Sequence, residues 1–288
     1  MKLSIVILTY NTKKLTLECI DSIIKNYKDE IEEKIIEIIV VDNASSDGTA
    51  NSLSGKKYVN MFCNTENSGF SKGCNLGAEK AKGKYLLFLN SDTKTFDKGF
   101  IKMTDFLDAN ENVAILGGGL TNTDGTKQKT AGNFYNLFNL SLVLAGFERF
   151  GLIRKYPKNI TQVDWVGGGC MMVRCDVFEK LWGFDPRIFM YMEDMEFCFR
   201  AKKMGYLTFF FPDIKVEHSQ HKSSNRGFAI EHIYKGILYF YKKHTNYFEY
   251  LFVKILLIIK AIVAIFVGFT FNKDYLRKTY MSAIKNIL

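Results

Sequence analysis

The chain has 288 residues, of which 47% are hydrophobic and 15% aromatic, so it can bury a sizeable core and is not a disordered polypeptide. Its 39 Lys and Arg residues outnumber its 30 Asp and Glu residues, and this excess favours an anionic partner such as a nucleoside diphosphate or an acidic membrane surface. Nucleic acid is not an expected partner, because the lysines are spread along the chain and form no basic block with interleaved aromatic residues.

The first part of the chain alternates between strand and helix patterns. Residues 3–8 are a nearly continuous apolar run, typical of a strand buried on both faces, and helical spacing follows over residues 15–27. The later elements predicted in this part are strands at 35–41, 58–63 and 85–89 and a helix over 69–82. This alternation predicts an α/β fold with a doubly wound, mostly parallel sheet flanked by helices.

Polar residues follow three of the predicted strands at the point where each strand ends. They are Thr9-Tyr10-Asn11, Asp42-Asn43 and Asn90-Ser91-Asp92. Ligands of doubly wound sheets bind beyond the carboxyl ends of the strands, so these clusters predict a binding site at one edge. Residues 120–165 are less regular and are expected to form loops and a helix over the acceptor side.

Three segments of the chain, residues 4–11, 40–49 and 87–92, resemble family 2 glycosyltransferases with the GT-A fold, and within them the rhamnosyltransferase-like branch. The supporting segments are residues 67–75, 167–174 and 183–200. The resemblance covers about residues 3–225. It implies an inverting, metal-dependent hexosyltransferase of cell-surface polysaccharide synthesis. The expected donor is dTDP-rhamnose and the expected acceptor a lipid-linked glycan.

Asp42 is the residue that the resemblance implies for contact with the nucleotide base. A carboxylate there can accept a hydrogen bond from the ring N–H of uracil or thymine. The alternative is that Asp42 and Asp47 only cap the following helix. The other residues that the resemblance assigns to the nucleotide are Thr9, Tyr10, Asn11, Asn67, Gly69, Phe70, Gly73, Asn75, Asn90 and Ser91.

Asn90-Ser91-Asp92 occupies the position of the family's metal-binding D-x-D motif, although the first acid is replaced by Asn. Asp92 is therefore the expected carboxylate ligand of Mg²⁺ or Mn²⁺, whose other positions phosphate oxygens and waters can fill. In related enzymes a His at about the position of His218 reaches the metal or the diphosphate. The alternatives are a turn residue at Asp92 and a solvated loop histidine. Phosphate contacts are expected from His221, Lys222 and Arg226.

Glu193-Asp194 lies at a predicted helix N-terminus. The resemblance assigns Asp194 as the general base and Glu193 as support for the acceptor or its loop. A single base together with a metal implies inversion at the anomeric carbon. The alternative is that the acids only favour the helix dipole.

Trp165, Gly168 and Gly169 are expected beside the acceptor or the donor sugar, since glycines permit close approach to a ligand. The same glycines would equally permit tight strand packing.

Residues 251–271 are almost entirely apolar, but Lys254 and Lys260 disfavour a true membrane span. Helical projection groups these lysines with small residues, which predicts an amphipathic helix lying in the membrane surface with its lysines toward lipid phosphates. A span, or a buried helix that forms a homodimer, is the alternative. The predicted organisation is a catalytic domain over 1–230, divided near residue 120 into nucleotide and acceptor halves, and a membrane-associating tail over 231–288.

The expected location is the cytoplasmic face of the cell membrane, with peripheral attachment, since the N-terminal apolar run is too short for a signal peptide and the six cysteines form no C-x-x-C pair. A UDP-sugar donor, carrying galactofuranose, N-acetylglucosamine or glucose, is the alternative to dTDP-rhamnose. A dinucleotide-dependent oxidoreductase is disfavoured because no G-x-G-x-x-G follows the first strand. A non-catalytic nucleotide-binding module is the most distant alternative.

Overall fold

The computed structural model describes residues 1–147, 153–219, 226–285 and 287. The strands are β1 (Leu3–Thr9), β2 (Ile36–Asp42), β3 (Val59–Cys63), β4 (Tyr85–Asn90), β5 (Thr93–Thr95), β6 (Val113–Thr121), β7 (Ala131–Gly132), β8 (Arg154–Lys155), β9 (Thr161–Val163), β10 (Trp165–Val166), β11 (Cys170–Arg174) and β12 (Leu207–His218). The helices are α1 (Lys13–Asn26), α2 (Lys28–Glu32), α3 (Thr49–Leu53), α4 (Gly69–Glu79), α5 (Gly99–Ala109), α6 (Leu137–Leu144), α7 (Cys175–Lys180), α8 (Glu193–Lys203), α9 (Arg226–His244), α10 (Tyr247–Thr270) and α11 (Asp274–Lys285).

Among the described residues, nine strands form a central sheet in the order β3-β2-β1-β4-β11-β6-β12-β5, with β9 added beside β12. Strands β1 to β4 are parallel, as predicted. Strand β11 is antiparallel to both β4 and β6, whereas β6 and β12 are again parallel, so the sheet is mixed beyond β4.

Both faces of the sheet are buried. Successive side chains along a strand point in opposite directions, so neighbouring residues pack into two different apolar clusters. Ile5, Ile7 and Leu87 belong to one apolar cluster, which includes α1 and α5. Val6 and Phe88 belong to the other, which includes α8 and α9. Residues 120–165 contain α6 and short strands, which confirms the predicted loops and helix. All six cysteines are free thiols.

The C-terminal helices pack on the catalytic part and on one another. The predicted boundary at residue 230 falls within α9, which buries Tyr234, Ile237 and Phe240 in the core. Within the described residues, α10 is the one helix long and apolar enough to cross a membrane, and core helices of soluble proteins share these properties.

The orientation of α10 differs from the sequence-based expectation. The small residues Ala261 and Gly268 face neighbouring helices and are buried, whereas Phe248 and Phe266 are 80% and 70% exposed. The open face of α10 is therefore apolar and the small residues point toward the protein, while Lys254 and Lys260 are half-buried at the edges between the two faces. The helical projection separated the two faces correctly, but it could not show which one packs on the protein.

A buried ionic cluster fastens the end of α9 to α8. The carboxylate of Glu196, which is fully buried, accepts hydrogen bonds from Arg200 Nε at 2.9 Å, Lys243 Nζ at 2.6 Å and His244 Nε2 at 2.9 Å. Lys243 Nζ also donates to Asp185 Oδ2 at 2.6 Å. Burial alone would raise the pKa of Glu196, but the hydrogen bonds from His244, Arg200 and Lys243 lower that pKa to about 2.

Replacement of this carboxylate gives a pH-dependent test of the cluster. A carboxylate with a depressed pKa stabilises the fold above its unfolded pKa of about 4.5, and this contribution is lost as the pH falls toward 2. Glu196→Gln should therefore lower the free energy of unfolding at pH 7 by about 3 kcal/mol, because it leaves buried cations unpaired. The difference from wild type should shrink between pH 5 and pH 2 in urea titrations. Asp21→Asn, which removes an exposed ion pair with Lys56, is the control and should change stability by less than about 1 kcal/mol. A difference for Glu196→Gln that does not vary with pH would contradict the assignment.

Candidate active site

The carboxyl ends of the parallel strands bring the predicted polar residues to one edge of the sheet. Thr9 at the end of β1 pairs in register with Asp42 at the end of β2. On its other side β1 pairs with β4, where Leu8 lies opposite Asn90. His218 joins this edge at the end of β12. The convergence follows from parallel pairing, which places equivalent strand ends together.

Asp42 is buried, and its two carboxylate oxygens have different surroundings. Oδ2 accepts the backbone N–H of Ser45 at 3.0 Å, whereas Oδ1 is buried and has no hydrogen-bond partner among the described residues. An acceptor in this state is costly unless a ligand donor reaches it. Asp47 instead accepts the backbone N–H groups of Lys13 and Thr49, which is the capping role considered for it.

Thr9 and Ser91 belong to a network of hydroxyl groups beneath the strand ends. Thr9 Oγ1 lies 2.7 Å from Thr16 Oγ1 and 3.0 Å from Thr12 Oγ1, and Thr12 Oγ1 lies 3.1 Å from Ser91 Oγ. These contacts fix the loop that follows β1 and account for both residues without a ligand. Their predicted contact with the nucleotide stays a prediction.

Asn11 and Tyr10 lie above that network, in the loop after β1. Asn11 has a φ of 53° and its Oδ1 accepts the backbone N–H of Ser46 at 2.8 Å, which ties the loop after β1 to the loop after β2. Tyr10 is 44% exposed and is available to a ligand from solvent.

Asn43 was placed at this edge by the sequence pattern but was given no role of its own there. Its Oδ1 accepts hydrogen bonds from Asn64 Nδ2 at 2.8 Å and from the backbone N–H of Ser68 at 3.1 Å. Its Nδ2 donates to Asn67 Oδ1 at 2.8 Å, and the same oxygen accepts the N–H of Gly69. Asn43 therefore fixes the start of α4 beside Asp42. Its place directly after Asp42 in the motif was the available signal.

The glycines and the asparagine of α4 have structural explanations. A Cβ on Gly69, whose φ is +84°, would lie 2.5 Å from Phe189 O, and a Cβ on Gly73 would lie 2.3 Å from Leu8 Cδ1. Asn75 exchanges two hydrogen bonds with the backbone of Phe184. These residues hold α4 against β1 and against the segment before α8, and their predicted contacts with the nucleotide stay predictions.

Asp92 and His218 form the candidate metal pair. Asp92 Oδ1 lies 3.1 Å from His218 Nε2, and both residues are largely buried. Two adjacent ligands of an octahedral Mg²⁺ ion, each about 2.1 Å from it, stand about 3 Å apart, so this spacing fits two ligands of one cation. No group of three or more His, Cys, Asp or Glu suited to a metal occurs within the described ranges. A cation held here would need its remaining ligands from phosphate and water.

The glycine segment 167–169 joins this pair to the candidate base. The backbone N–H of Gly168 donates to Asp194 Oδ2 at 3.0 Å, and the backbone N–H of Asn90 donates to Gly169 O at 3.1 Å. A Cβ on Gly168 would touch the ring of Phe70 at 3.5 Å. The metal edge and the base therefore lie on either side of one short segment, with Phe70 beside it.

Asp194 and Glu193 begin α8, as predicted. Glu193 is buried and Asp194 is half-buried, and burial raises the pKa of each carboxyl group. The backbone N–H groups of Gly168 and Met195 lower the pKa of Asp194 and so oppose the effect of burial. The charge of Asp194 raises the pKa of Glu193 further. Glu193 Oε2 has no hydrogen-bond partner among the described residues. The arrangement favours a charged Asp194 beside a neutral Glu193.

Two of the predicted contact residues have other surroundings in the described structure. Trp165 is buried and donates its indole N–H to Asn133 O at 2.9 Å, so the fold accounts for it, and its position does not favour the predicted acceptor contact. Arg226 begins α9 and lies 5.8 Å from the ring of Tyr275 in α11. His221 and Lys222 lie outside the described residues.

Residues 4–182, more than half of the chain, match the protein family described as Glycosyl transferase family 2. The chain therefore belongs to glycosyl transferase family 2, which confirms the resemblance found in the sequence. The predicted enzyme class, a hexosyltransferase, is supported by the same match and by the relatives described next.

Two curated relatives are informative. The chain is 27% identical over 211 residues to the low-salt glycan biosynthesis hexosyltransferase Agl10 of Haloferax volcanii, covering 68% of this chain and 65% of that protein. It is 26% identical over 215 residues to the N-acetylglucosaminyl-diphospho-decaprenol L-rhamnosyltransferase of Mycobacterium tuberculosis, covering 67% of this chain and 70% of that one. The chain thus spans only about two thirds of the length of these relatives. The second relative is a rhamnosyltransferase, the kind of enzyme that the sequence resembles.

The solved structure of GalNAc-T7 with UDP, GalNAc and Mn²⁺ is similar in fold. It superimposes with a TM-score of 0.59 at 17% sequence identity, covering 84% of this chain and 50% of that one. The likeness confirms the GT-A architecture, a central sheet flanked by helices.

The state of Glu193 can be tested through stability. An acid whose pKa is raised by folding weakens the fold as the pH rises above its unfolded value of about 4.5. Glu193→Gln removes that titration, so the variant should unfold at higher urea concentration than wild type at pH 8 and at the same concentration below about pH 4. Glu111→Gln, at an exposed position, is the matched control and should show no such divergence. If the urea concentrations at which Glu193→Gln and wild type unfold change with pH in the same way, the pKa of Glu193 is not raised by folding.

Proposed function

We propose that the chain is an inverting glycosyltransferase that moves a hexosyl group, rhamnose by preference, from a pyrimidine nucleoside diphosphate to a lipid-linked glycan. The observation that carries this proposal is the arrangement, around one edge of the sheet, of a hydrogen-bond acceptor for the nucleotide base, a pair of cation ligands and a half-buried carboxylate. Asp42, Asp92 with His218, and Asp194 supply these three functions. The expected setting is cell-surface polysaccharide synthesis.

Asp42 is the proposed contact for the nucleotide base. Its buried Oδ1, without a protein partner in the described part of the chain, is suited to the ring N–H of uracil or thymine. The preference for dTDP-rhamnose rests on the similarity to a rhamnosyltransferase. A UDP-hexose carries the same ring N–H and is the alternative donor.

Asp92 and His218 are the proposed protein ligands of Mg²⁺ or Mn²⁺. Their spacing of 3.1 Å, and the oxygen and nitrogen atoms they offer, fit such an ion. The ion, when bound, would neutralise charge on the diphosphate as it leaves. Asn90 lies beside the pair, with its Nδ2 3.1 Å from His218 Nε2.

Asp194 is the proposed general base. It accepts the proton of the acceptor hydroxyl while the hydroxyl oxygen bonds to the anomeric carbon and the bond from that carbon to the diphosphate breaks. One displacement of this kind inverts the configuration. Gly168 N–H holds one carboxylate oxygen at 3.0 Å, and burial raises the pKa of Asp194, so it is a stronger base than a solvated aspartate. Glu193 supports the neighbouring turn.

The tail, residues 231–288, is proposed to hold the enzyme at the cytoplasmic face of the membrane. The open face of α10 carries a row of large apolar side chains at helical spacing, and a row from Phe248 to Phe269 is about 30 Å long. Lys254 and Lys260 flank the row and are partly buried, where they can reach anionic headgroups. The remaining members of the row are Phe252, Ile255, Ile259, Ile262 and Phe266.

Asp92→Asn and Asp194→Asn should separate binding from chemistry. Asp92→Asn should abolish the Mn²⁺-dependent part of nucleotide binding, because it removes the charged ligand. Asp194→Asn should bind the donor with wild-type affinity and lose about 10²- to 10⁴-fold in transfer rate. Titration calorimetry with UDP and dTDP, and transfer assays with a panel of nucleotide sugars, measure the two effects.

The results of these binding and transfer measurements distinguish the proposed function from its alternatives. Full activity of Asp194→Asn would refute the base assignment. Donor binding by wild type without transfer to any lipid-linked acceptor would favour a non-catalytic nucleotide-binding module. Preferential transfer from a UDP-hexose would replace rhamnose in the proposal while leaving the mechanism unchanged.

Charge placed on the α10 row should release the protein from lipid. Ile259→Glu and Phe266→Glu are expected to weaken co-sedimentation with vesicles containing anionic lipid by about ten-fold or more, because a carboxylate resists burial among acyl chains. Phe96→Glu, at an exposed apolar position away from the tail, is the matched control. If the two α10 variants keep vesicle binding but dissociate a dimer in solution, a second copy of the chain covers this face instead.

A further inference from the structure

Both ring nitrogens of His218 have partners, and the identity of these partners bears on which nitrogen carries hydrogen. Nε2 faces Asp92 Oδ1 at 3.1 Å and Asn90 Nδ2 at 3.1 Å. Nδ1 lies 2.8 Å from Oε1 of Gln128, a buried residue in the loop after β6. The side chain of Gln128 therefore touches the nitrogen that points away from the candidate metal position.

The direction of the Gln128 amide follows from its other contacts. Gln128 Nε2 lies 2.9 Å from the backbone oxygen of His218, and a carbonyl oxygen can only accept a hydrogen bond. The atom at that contact is therefore the NH₂ group, and the oxygen of the amide faces His218 Nδ1. Because an amide oxygen also only accepts, Nδ1 must carry the hydrogen.

The hydrogen bonds of Asn122, which contacts the Gln128 side chain, independently give the same orientation of the Gln128 amide. Asp124 Oδ1 accepts the hydroxyl hydrogen of Thr126 at 2.6 Å, which leaves the Thr126 oxygen to accept Nδ2 of Asn122 at 2.8 Å. Asn122 Oδ1 then faces Gln128 Nε2 at 2.7 Å. The tight turn that bears these residues has Gly125 at a φ of +81°.

We propose that Gln128 is a positioning residue that holds His218 in the tautomer with hydrogen on Nδ1 and a free electron pair on Nε2. This deepens the proposed function and rests on its metal pair. The electron pair on Nε2 faces both the Asp92 carboxylate oxygen and Asn90 Nδ2, each at 3.1 Å, and a divalent cation held by Asp92 and His218 would take that electron pair in place of the amide hydrogen. Gln128 and its partners therefore prepare Asp92 and His218 for a cation. Hydrogen-bond partners of this kind orient metal-binding histidines in general.

The tautomer can be observed directly in the metal-free protein. The chain has four histidines, so ¹⁵N spectra of histidine-labelled protein are simple, and loss of one signal set in His218→Asn assigns His218. Wild type should show hydrogen on Nδ1 at a pH where the ring is neutral. Gln128→Leu, which removes the acceptor at Nδ1, should lose this preference. Hydrogen on Nε2 in the wild-type protein would overturn the proposal without reference to any variant.

Metal affinity gives the second measurement. Mn²⁺ titrated in the presence of UDP should bind Gln128→Leu about 10- to 100-fold more weakly than wild type. Gln162→Leu makes the same chemical change at an exposed strand position and should bind like wild type. Failure of wild type to bind Mn²⁺ would reject the proposed metal pair itself. Wild-type binding together with unchanged affinity in Gln128→Leu would overturn the role of Gln128 alone.

Discussion

The two backbone hydrogen bonds of the glycine segment 167–169 hold the site together. Gly168 N–H reaches the carboxylate of Asp194, and Gly169 O receives the N–H of Asn90, so one segment sets the distance between base and metal edge. A Cβ on Gly169 would come within 3.1 Å of Leu120 Cδ1, which leaves little room for a side chain. The antiparallel entry of β11 beside β4 is what delivers the segment there. The mixed sheet is therefore a requirement of the site.

The site stores unfavourable energy that the surrounding structure offsets. Tyr191 and Met192, just before Asp194, have φ values of 67° and 74°, a conformation that costs about 1–3 kcal/mol for a residue other than glycine. Helix α9 closes on this turn at Gly236, where a Cβ would lie 2.9 Å from Tyr191 O. The carboxylate cluster at Glu196 holds the same helix one turn further along α8. Buried charge on the far side of α8 thus keeps Asp194, the proposed base, in place.

The sequence predicted those parts of the site that depend on local pattern. Asp42 and Asn90 end apolar runs of four and five residues, and the ends of parallel strands lie at the same edge of a sheet, so their proximity followed from the sequence pattern alone. The sequence pattern did not predict the role of Gln128, because its contact with His218 joins residues 90 positions apart through an irregular loop. The indole N–H of Trp165 is likewise donated to a residue distant in the sequence, Asn133, and the predicted acceptor contact of Trp165 stays a prediction.

Sequence periodicity predicted the two faces of α10, but only the packing shows how this helix is connected to the rest of the protein. Helix α10 follows α9 after only a short turn capped by Asn246, whose Oδ1 accepts the N–H of Glu249 at 2.9 Å. Helix α9 is in turn fastened to α8 by Lys243. The apolar row of α10 is therefore connected to the helix that carries Asp194 by packed helices and buried ion pairs, without a flexible linker. An enzyme attached to a lipid surface through that row would present its base at a fixed height and angle above the surface. A lipid-linked acceptor, confined to the same surface, needs that constraint to meet the base reproducibly.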